Sequence, residues 1–133
     1  MNGMPADREN RREIGAYYES LALSYLEGQG AEPLERNFRC RQGEIDLIYR
    51  HEGYLVFAEV KFRTNEHMGD PLEAVDRRKQ RTISRVCDRY RFTRHLPEDT
   101  PIRFDVIGIE STQGGPARIC WVRDAFPYIF RKS

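Results

Sequence analysis

The sequence predicts an α/β domain: a mixed β-sheet flanked by helices, in the order α-β-β-β-α-β-β. Three observations lead there. Two segments, one near the start and one past the middle, repeat apolar residues at helical spacing. Strand-like stretches follow the first helix and include a tight hairpin, and two more follow the second. Helices and strands interspersed in this way call for a shared sheet with helices laid against it.

The 133 residues amount to one domain with a modest core. Residues 1–10 read as a flexible N-terminus, 11–125 as a single domain and 126–133 as a C-terminal tail. There is no internal repeat. The 22 Lys and Arg nearly balance the 21 Asp and Glu, leaving a net charge of +1. That balance argues against a protein that coats nucleic acid by charge alone, and it leaves room for a local basic surface around an acidic pocket. Cys40, Cys87 and Cys120 are odd in number, far apart and form no CxxC pair. Reduced thiols and a cytoplasmic location are therefore expected. His51, His67 and His95 show no zinc-ligand spacing. No run approaches a membrane span and no apolar leader opens the chain, so no membrane partner is expected.

The first helix is expected over about Arg8 to Gln29. Ile14, Tyr17, Tyr18, Leu21, Ala22, Tyr25 and Leu26 make its stripe, and Gly28 and Gly30 end it. Glu19 lies on the border of that stripe, either solvated or reaching the edge of a site on the sheet beneath. A short edge strand follows within Glu32–Cys40, with Leu34 and Phe38 as its apolar residues.

The hairpin comes next, Gly43–Tyr49 and Tyr54–Phe62 around a turn centred on Glu52-Gly53. That turn makes facing residues sum to 105, placing Asp46 opposite Glu59 and Glu44 opposite Lys61. Facing Cβ atoms lie roughly 4.5–5.5 Å apart, so two carboxylates there repel unless something positive sits between them. A divalent cation is one candidate, with Lys61 as a second positive charge. Ile45, Leu47 and Tyr49 with Val56, Ala58, Val60 and Phe62 form an apolar face. On the other face the charges gather at one end, as at the lip of a site. A solvated sheet end with cross-strand ion pairs would show the same residues.

A loop from Thr64 to Gly69 leads into the second helix. Asp70 as N-cap, Pro71 and Glu73 make a capping box for it, and it runs to about Phe92. Leu72, Val75, Ile83, Val86 and Tyr90 are its apolar face. Lys79 falls inside that stripe, where its amine must snorkel to water or meet an anion such as the acidic cluster or a phosphate. Arg77, Arg78, Arg81, Arg85 and Arg89 lie opposite, read as a solvated face or an interface with another chain. Strands Ile102–Glu110 and Arg118–Val122 follow, joined through Gln113-Gly114-Gly115-Pro116.

Glu19, Asp46 and Glu59-Val60-Lys61 together form a pattern that resembles the PD-(D/E)xK nuclease superfamily. More narrowly, the chain resembles the bacterial UPF0102 family, through Gly43-Glu44-Ile45-Asp46-Leu47-Ile48 and Val56-Phe57-Ala58-Glu59-Val60-Lys61-Phe62-Arg63. Asn37, Gly69 through Pro71 and Lys79 add to it, and the likeness covers about Arg11 to Val122. Ile45 stands where the superfamily's name-giving proline would be. Ala58 replaces a frequent valine, a change expected to face the core.

The resemblance implies a restriction-endonuclease-like sheet and a metal-dependent nuclease hydrolysing phosphodiester bonds in DNA, including branched or repair intermediates. Asp46, Glu59 and the Val60 carbonyl would hold Mg²⁺ or Mn²⁺. Lys61 would orient or deprotonate the attacking water, and Glu19 would complete the shell. Arg63 and Lys79 would bind phosphate, and Arg36, Arg39 and Arg41 would track the strand backbone. Nucleases of this fold that make paired cuts are commonly dimers, so the resemblance allows a homodimer. Two alternatives stand beside it. One is a non-catalytic nucleic-acid-binding module with a nuclease-like fold. The other is an adaptor whose acidic cluster is only an ion-pair network.

Overall fold

The hairpin turn sets the sheet. Glu52 and Gly53 both have positive φ, 51° and 85°, the pairing a two-residue type I′ turn demands and glycine supplies most readily at its second position. Register follows from it: His51 faces Tyr54, Tyr49 faces Val56 and Leu47 faces Ala58.

The computed structural model describes residues 4–63, 73, 75–112 and 114–132, with side chains from Arg12 onward. Its elements are α1 (Met4–Gly28), β1 (Glu32–Cys40), β2 (Gly43–His51), β3 (Tyr54–Arg63), α2 (Arg77–Thr93), β4 (Ile102–Glu110) and β5 (Arg118–Val122). The strands lie in the order β1-β2-β3-β4-β5. All neighbours are antiparallel except β3 and β4, which run parallel from Leu55–Ile102 to Arg63–Glu110. The mixed sheet and the element order are those the sequence predicts.

Two apolar layers sandwich the sheet. Ala22 and Leu26 of α1 meet Leu47, Tyr49, Val56, Ala58, Ile107 and Ile109 on one face. Ile83, Val86, Cys87 and Tyr90 of α2 meet Ile45, Ile48, Leu55, Phe57, Phe104 and Val106 on the other. Each of the Leu, Ile, Val and Phe side chains among them, fully buried, contributes about 1.5–3 kcal/mol relative to exposure. α2 lies close enough to the start of β2 that a Cβ on Gly43 would come within 2.8 Å of Thr82 Cγ2. Past β5 the chain stays on this face: the Phe126 ring stacks on Phe104 at 5.1 Å, and the Tyr128 hydroxyl donates to Asp88.

Three expectations change. α1 begins at Met4, ahead of Arg8, with Pro5 in its first turn, where a missing N–H breaks no helical bond. α2 begins at Arg77 with Asp76 as its N-cap, whose side chain accepts the Lys79 N–H. The expected loop Thr64–Gly69 and the cap residues Asp70 and Pro71 lie outside the described residues, as does Gln113 in the last turn. Ile45 packs with Ile48 on the α2 face instead of with Leu47 and Tyr49 on the α1 face. The reason lies at Asn37 and Asp46. β1 and β2 pair on both sides of them, Arg36 with Leu47 and Phe38 with Ile45. Asn37 itself is left-handed, with φ 53°, and strict alternation breaks at this step.

A buried polar cluster ties the turn end of the sheet together. Asp105, fully buried, accepts two bonds from the Arg103 guanidinium, one from the Tyr49 hydroxyl at 2.6 Å, one from the Trp121 indole and one from the Asp124 N–H. Arg103 also meets His51 Nδ1 at 3.1 Å. Burial and the neighbouring Asp105 charge push the Tyr49 hydroxyl well above its ordinary pKa, so it stays a donor.

Candidate functional site

β2 begins where β3 ends, so Asp46 and Glu59 come together at the end of the sheet away from the Glu52-Gly53 turn. The register of the hairpin predicts a direct pairing of the two. The structure corrects this: backbone pairing stops at Leu47–Ala58, and the Val60 N–H donates instead to Asp46 Oδ2 at 2.8 Å. The Asp46 carboxylate thus takes up a strand N–H itself. Glu44, expected opposite Lys61, turns to β1 and pairs with Arg39 at 3.1 Å.

Glu59 is buried, 4% exposed, and faces two amines. Lys61 Nζ and Lys79 Nζ each lie 3.6 Å from its Oε2. Lys61 comes from the same strand, two residues on, and Lys79 descends from the first turn of α2. The lysine in the apolar stripe of α2 therefore reaches the acidic cluster. Both lysine side chains keep about a third of their surface in contact with water.

Glu19 approaches from α1. Its Oε1 accepts from the Asn37 amide at 3.2 Å and from Arg36 Nη2 at 3.3 Å. The left-handed Asn37 thus holds the helix carboxylate directly. Asn37 entered the sequence reading only through the family resemblance. An asparagine within a strand reads as a weak strand former that tolerates a left-handed backbone, whereas its bond to Glu19 has no signature in the sequence.

These charges act on one another. Burial first, then the Glu59 charge and a smaller push from Glu19, together raise the Asp46 carboxyl to about 7. The Val60 N–H and Lys61 work against the shift. A carboxyl that holds its proton near neutrality beside a second, buried carboxylate is a place where a divalent cation would replace that proton. Among the described residues, no three Asp, Glu, His or Cys side chains stand together at metal-holding distance. Asp46 and Glu59 would therefore need a backbone carbonyl such as that of Val60, and water, to complete a shell. Mg²⁺ is commonly held in that way, by one or two carboxylates and several waters. The donor set fits such an ion.

The remaining predicted residues spread around this centre. Arg63 ends β3 with its side chain exposed. Arg36 is committed to Glu19 and Arg39 to Glu44, and Arg41 is exposed at the β1–β2 turn. The structure thus gathers Glu19, Asp46, Glu59, Lys61 and Lys79, and leaves Arg39, Arg41 and Arg63 on the surrounding surface.

A mixed sheet sandwiched between two helices, with an acidic pair and a lysine at one end, defines the architecture. The chain belongs to the family described as "Uncharacterised protein family UPF0102", whose sequence profile matches residues 18–109. It is 49% identical over 98 residues to a UPF0102 protein of Lachnoclostridium phytofermentans, covering 74% of this chain and 83% of that one. A UPF0102 protein of Photobacterium profundum is 44% identical over 113 residues, 84% of this chain and 88% of its own. One from Legionella pneumophila is 39% identical over 115 residues, 86% and 95% respectively. The matched region contains Glu19, Asn37, Asp46, Glu59, Lys61 and Lys79.

Proposed function

We propose that this protein is a metal-dependent nuclease that hydrolyses phosphodiester bonds in DNA, with branched or repair intermediates among its substrates. The observation that carries the reading is the meeting of Asp46 and Glu59 at the end of the sheet, with two lysine amines 3.6 Å from Glu59. Strand ends of this kind serve ion pairing alone when the carboxylates are neutralised. Here the Asp46 carboxyl is left pushed up to about 7, so its charge is not compensated by the groups around it.

Mg²⁺ or Mn²⁺ bound there would supply an activated water and neutralise charge on the phosphoryl oxygens. Asp46 and Glu59 would be its side-chain ligands, with the Val60 carbonyl beside them. Lys61 would orient or deprotonate the attacking water and steady developing charge, and Lys79 would take a phosphate oxygen of the strand being cut. Glu19, fixed by Asn37 and Arg36, would hold a water against the Asp46 side of the site. Arg63 and Arg41 would reach the flanking phosphates, and Arg39 and Arg36 would do so on releasing their carboxylate partners. A homodimer would allow paired cuts. Cys40, Cys87 and Cys120 are free thiols, which suits a cytoplasmic location.

Cleavage of labelled single-stranded, duplex, flap and four-way-junction DNA with Mg²⁺ or Mn²⁺ tests the reading, beside a Glu59→Ala protein purified identically. Metal-dependent cuts absent from the variant are the expected result. Intact substrates in every lane with either metal would overturn it. The lack of three assembled metal-ligating side chains among the described residues favours one second reading, a non-catalytic nucleic-acid-binding module. Saturable binding without cleavage would assign it.

A further inference from the structure

The outward side of α2 carries a stripe of arginine. Arg77, Arg81, Arg85 and Arg89 recur every fourth residue, which keeps them neighbours along one slowly drifting line. The first three form one wall of a groove of about 620 Å³, and Ile129, Phe130, Arg131 and Lys132 form the other. No carboxylate lines it. Asp88 offsets part of this charge, lying 3.3 Å from Arg85 and 4.0 Å from Arg131. Arg77, Arg81 and Lys132 are exposed, and their side chains have no hydrogen bond or ion pair among the described residues. In a chain of net charge +1, this is a local excess held on one surface.

Phe130 stands in the same groove with 81% of its surface exposed, the largest exposure among the big apolar side chains described. Its ring is set edge-on against Tyr128 at 4.9 Å, and the Arg85 guanidinium lies over the same Tyr128 ring at 5.4 Å. A cationic groove with one presented aromatic ring is the arrangement that tracks a phosphate backbone and stacks a base. A bilayer surface would meet a broader apolar face than a single phenylalanine.

We infer that this groove binds the sugar–phosphate backbone of a single nucleic-acid strand, with a base stacked on Phe130, at a surface separate from the Asp46–Glu59 site. The inference rests on the nucleic-acid reading above and adds to it where the strand is held beyond the point of cutting. Lys79 lies between Arg77 and Arg81 in sequence yet turns to Glu59 on the other side of the same helix. A strand leaving the groove therefore needs to pass only the width of α2, about 10–12 Å, to reach the acidic pair.

The test is fluorescence anisotropy of labelled single-stranded and duplex oligonucleotides at several salt concentrations, in EDTA so that no cleavage occurs. An Arg77→Gln/Arg81→Gln/Lys132→Gln protein should bind the single strand at least about tenfold more weakly, with a salt slope shallower by about two. An Arg77→Lys/Arg81→Lys protein should recover most of that loss, and melting curves of each variant confirm folding. Phe130→Ala should weaken single-strand binding about tenfold and leave duplex binding unchanged. Unchanged affinity and salt slope in the triple variant would overturn the inference. So would a triple variant that loses binding to phosphatidylglycerol vesicles while still binding DNA. Glu59→Ala separates the two proposals. If wild-type protein cuts DNA but the groove variant binds normally, the groove inference fails alone. If no protein cuts but binding depends on the groove, the nuclease reading fails alone.

Discussion

Asn37 stands across from Asp46, and both residues drop out of a ladder that continues on either side of them, through Arg36–Leu47 and Phe38–Ile45. At that one step the side-chain alternation turns over, the Asp46 carboxylate accepts the Val60 N–H, and the Asn37 amide donates to Glu19. The irregularity and the acidic cluster occupy the same place. Pairing kept up to Glu59 would have left no strand N–H for the Asp46 carboxylate.

Asn37 separates backbone from side chain experimentally. Asn37→Gly accepts the φ of 53° but loses the bond to Glu19, and Asn37→Ala loses the bond and strains the backbone as well. The alanine protein should be less stable than the glycine protein by about 1–2 kcal/mol, read from thermal or urea unfolding. Both should bind Mn²⁺ about tenfold more weakly by paramagnetic titration, as expected when a carboxylate loses its anchor. Equal Mn²⁺ affinity in all three proteins would remove Glu19 from the site.

Asp46 makes stability depend on pH in a stated direction. Its carboxyl titrates near 3.8 when unfolded and at about 7 when folded. Between those values the folded protein holds a proton that the unfolded chain has released. Stability from this group is therefore complete below about pH 4 and lost as pH rises to about 7. Asp46→Asn should melt higher than wild type at slightly alkaline pH, and the gap should close in acid. Mn²⁺ should raise the melting temperature of wild type in alkaline buffer and leave that of Asp46→Asn unmoved.

Lys61 and Lys79 lie equally far from Glu59 and should still differ in kinetics. Lys61→Ala should lower kcat by about 10²–10⁴-fold and leave KM nearly unchanged, as for loss of a proton-transfer group. Lys79→Ala should act mainly on KM. A steady-state assay on the preferred DNA reads both, and identical effects would give the two amines one shared role.

The Asp105 cluster supports the other end of the sheet. Asp105→Ala leaves Arg103, 6% exposed, without its carboxylate, and should destabilise by about 3–5 kcal/mol. Tyr49→Phe removes one donor among several and should cost about 1–3 kcal/mol. Urea unfolding distinguishes the two. A larger loss in the tyrosine variant would place the main support elsewhere.

The hairpin was legible in the sequence because a two-residue turn at Glu52-Gly53 fixes parity, and parity decides which residues share a face. Leu47, Tyr49, Val56 and Ala58 follow it without exception. Ile45 does not, because the break comes from the backbone of Asn37, which no periodicity records. The sequence places the start of α2 only at Asp70, and the structure places it later. Asp70-Pro71-Glu73 carries the stronger capping pattern, whereas Asp76 caps the helix with Lys79, not an acidic residue, at the third helical position. Glu19 was visible as a border residue, but its partners depend on how β1 bends beneath α1. The Asp105 cluster left only a faint trace, polar residues inside the otherwise apolar run of β4.

The parallel pairing of β3 with β4 also governs the order in which the molecule is assembled. Residues 47–58, which Asp46 and Glu59 flank, close on themselves through a two-residue turn, a rapid local event, whereas Leu55 meets Ile102 only after the intervening chain has been drawn across the sheet. The repulsion between Asp46 and Glu59 thus arises in the quickest part of the chain to form, ahead of the slow closure and of the arrival of Lys79 on α2. Neutralising it with Asp46→Asn should speed refolding more than it slows unfolding, a split visible in the two arms of a urea chevron.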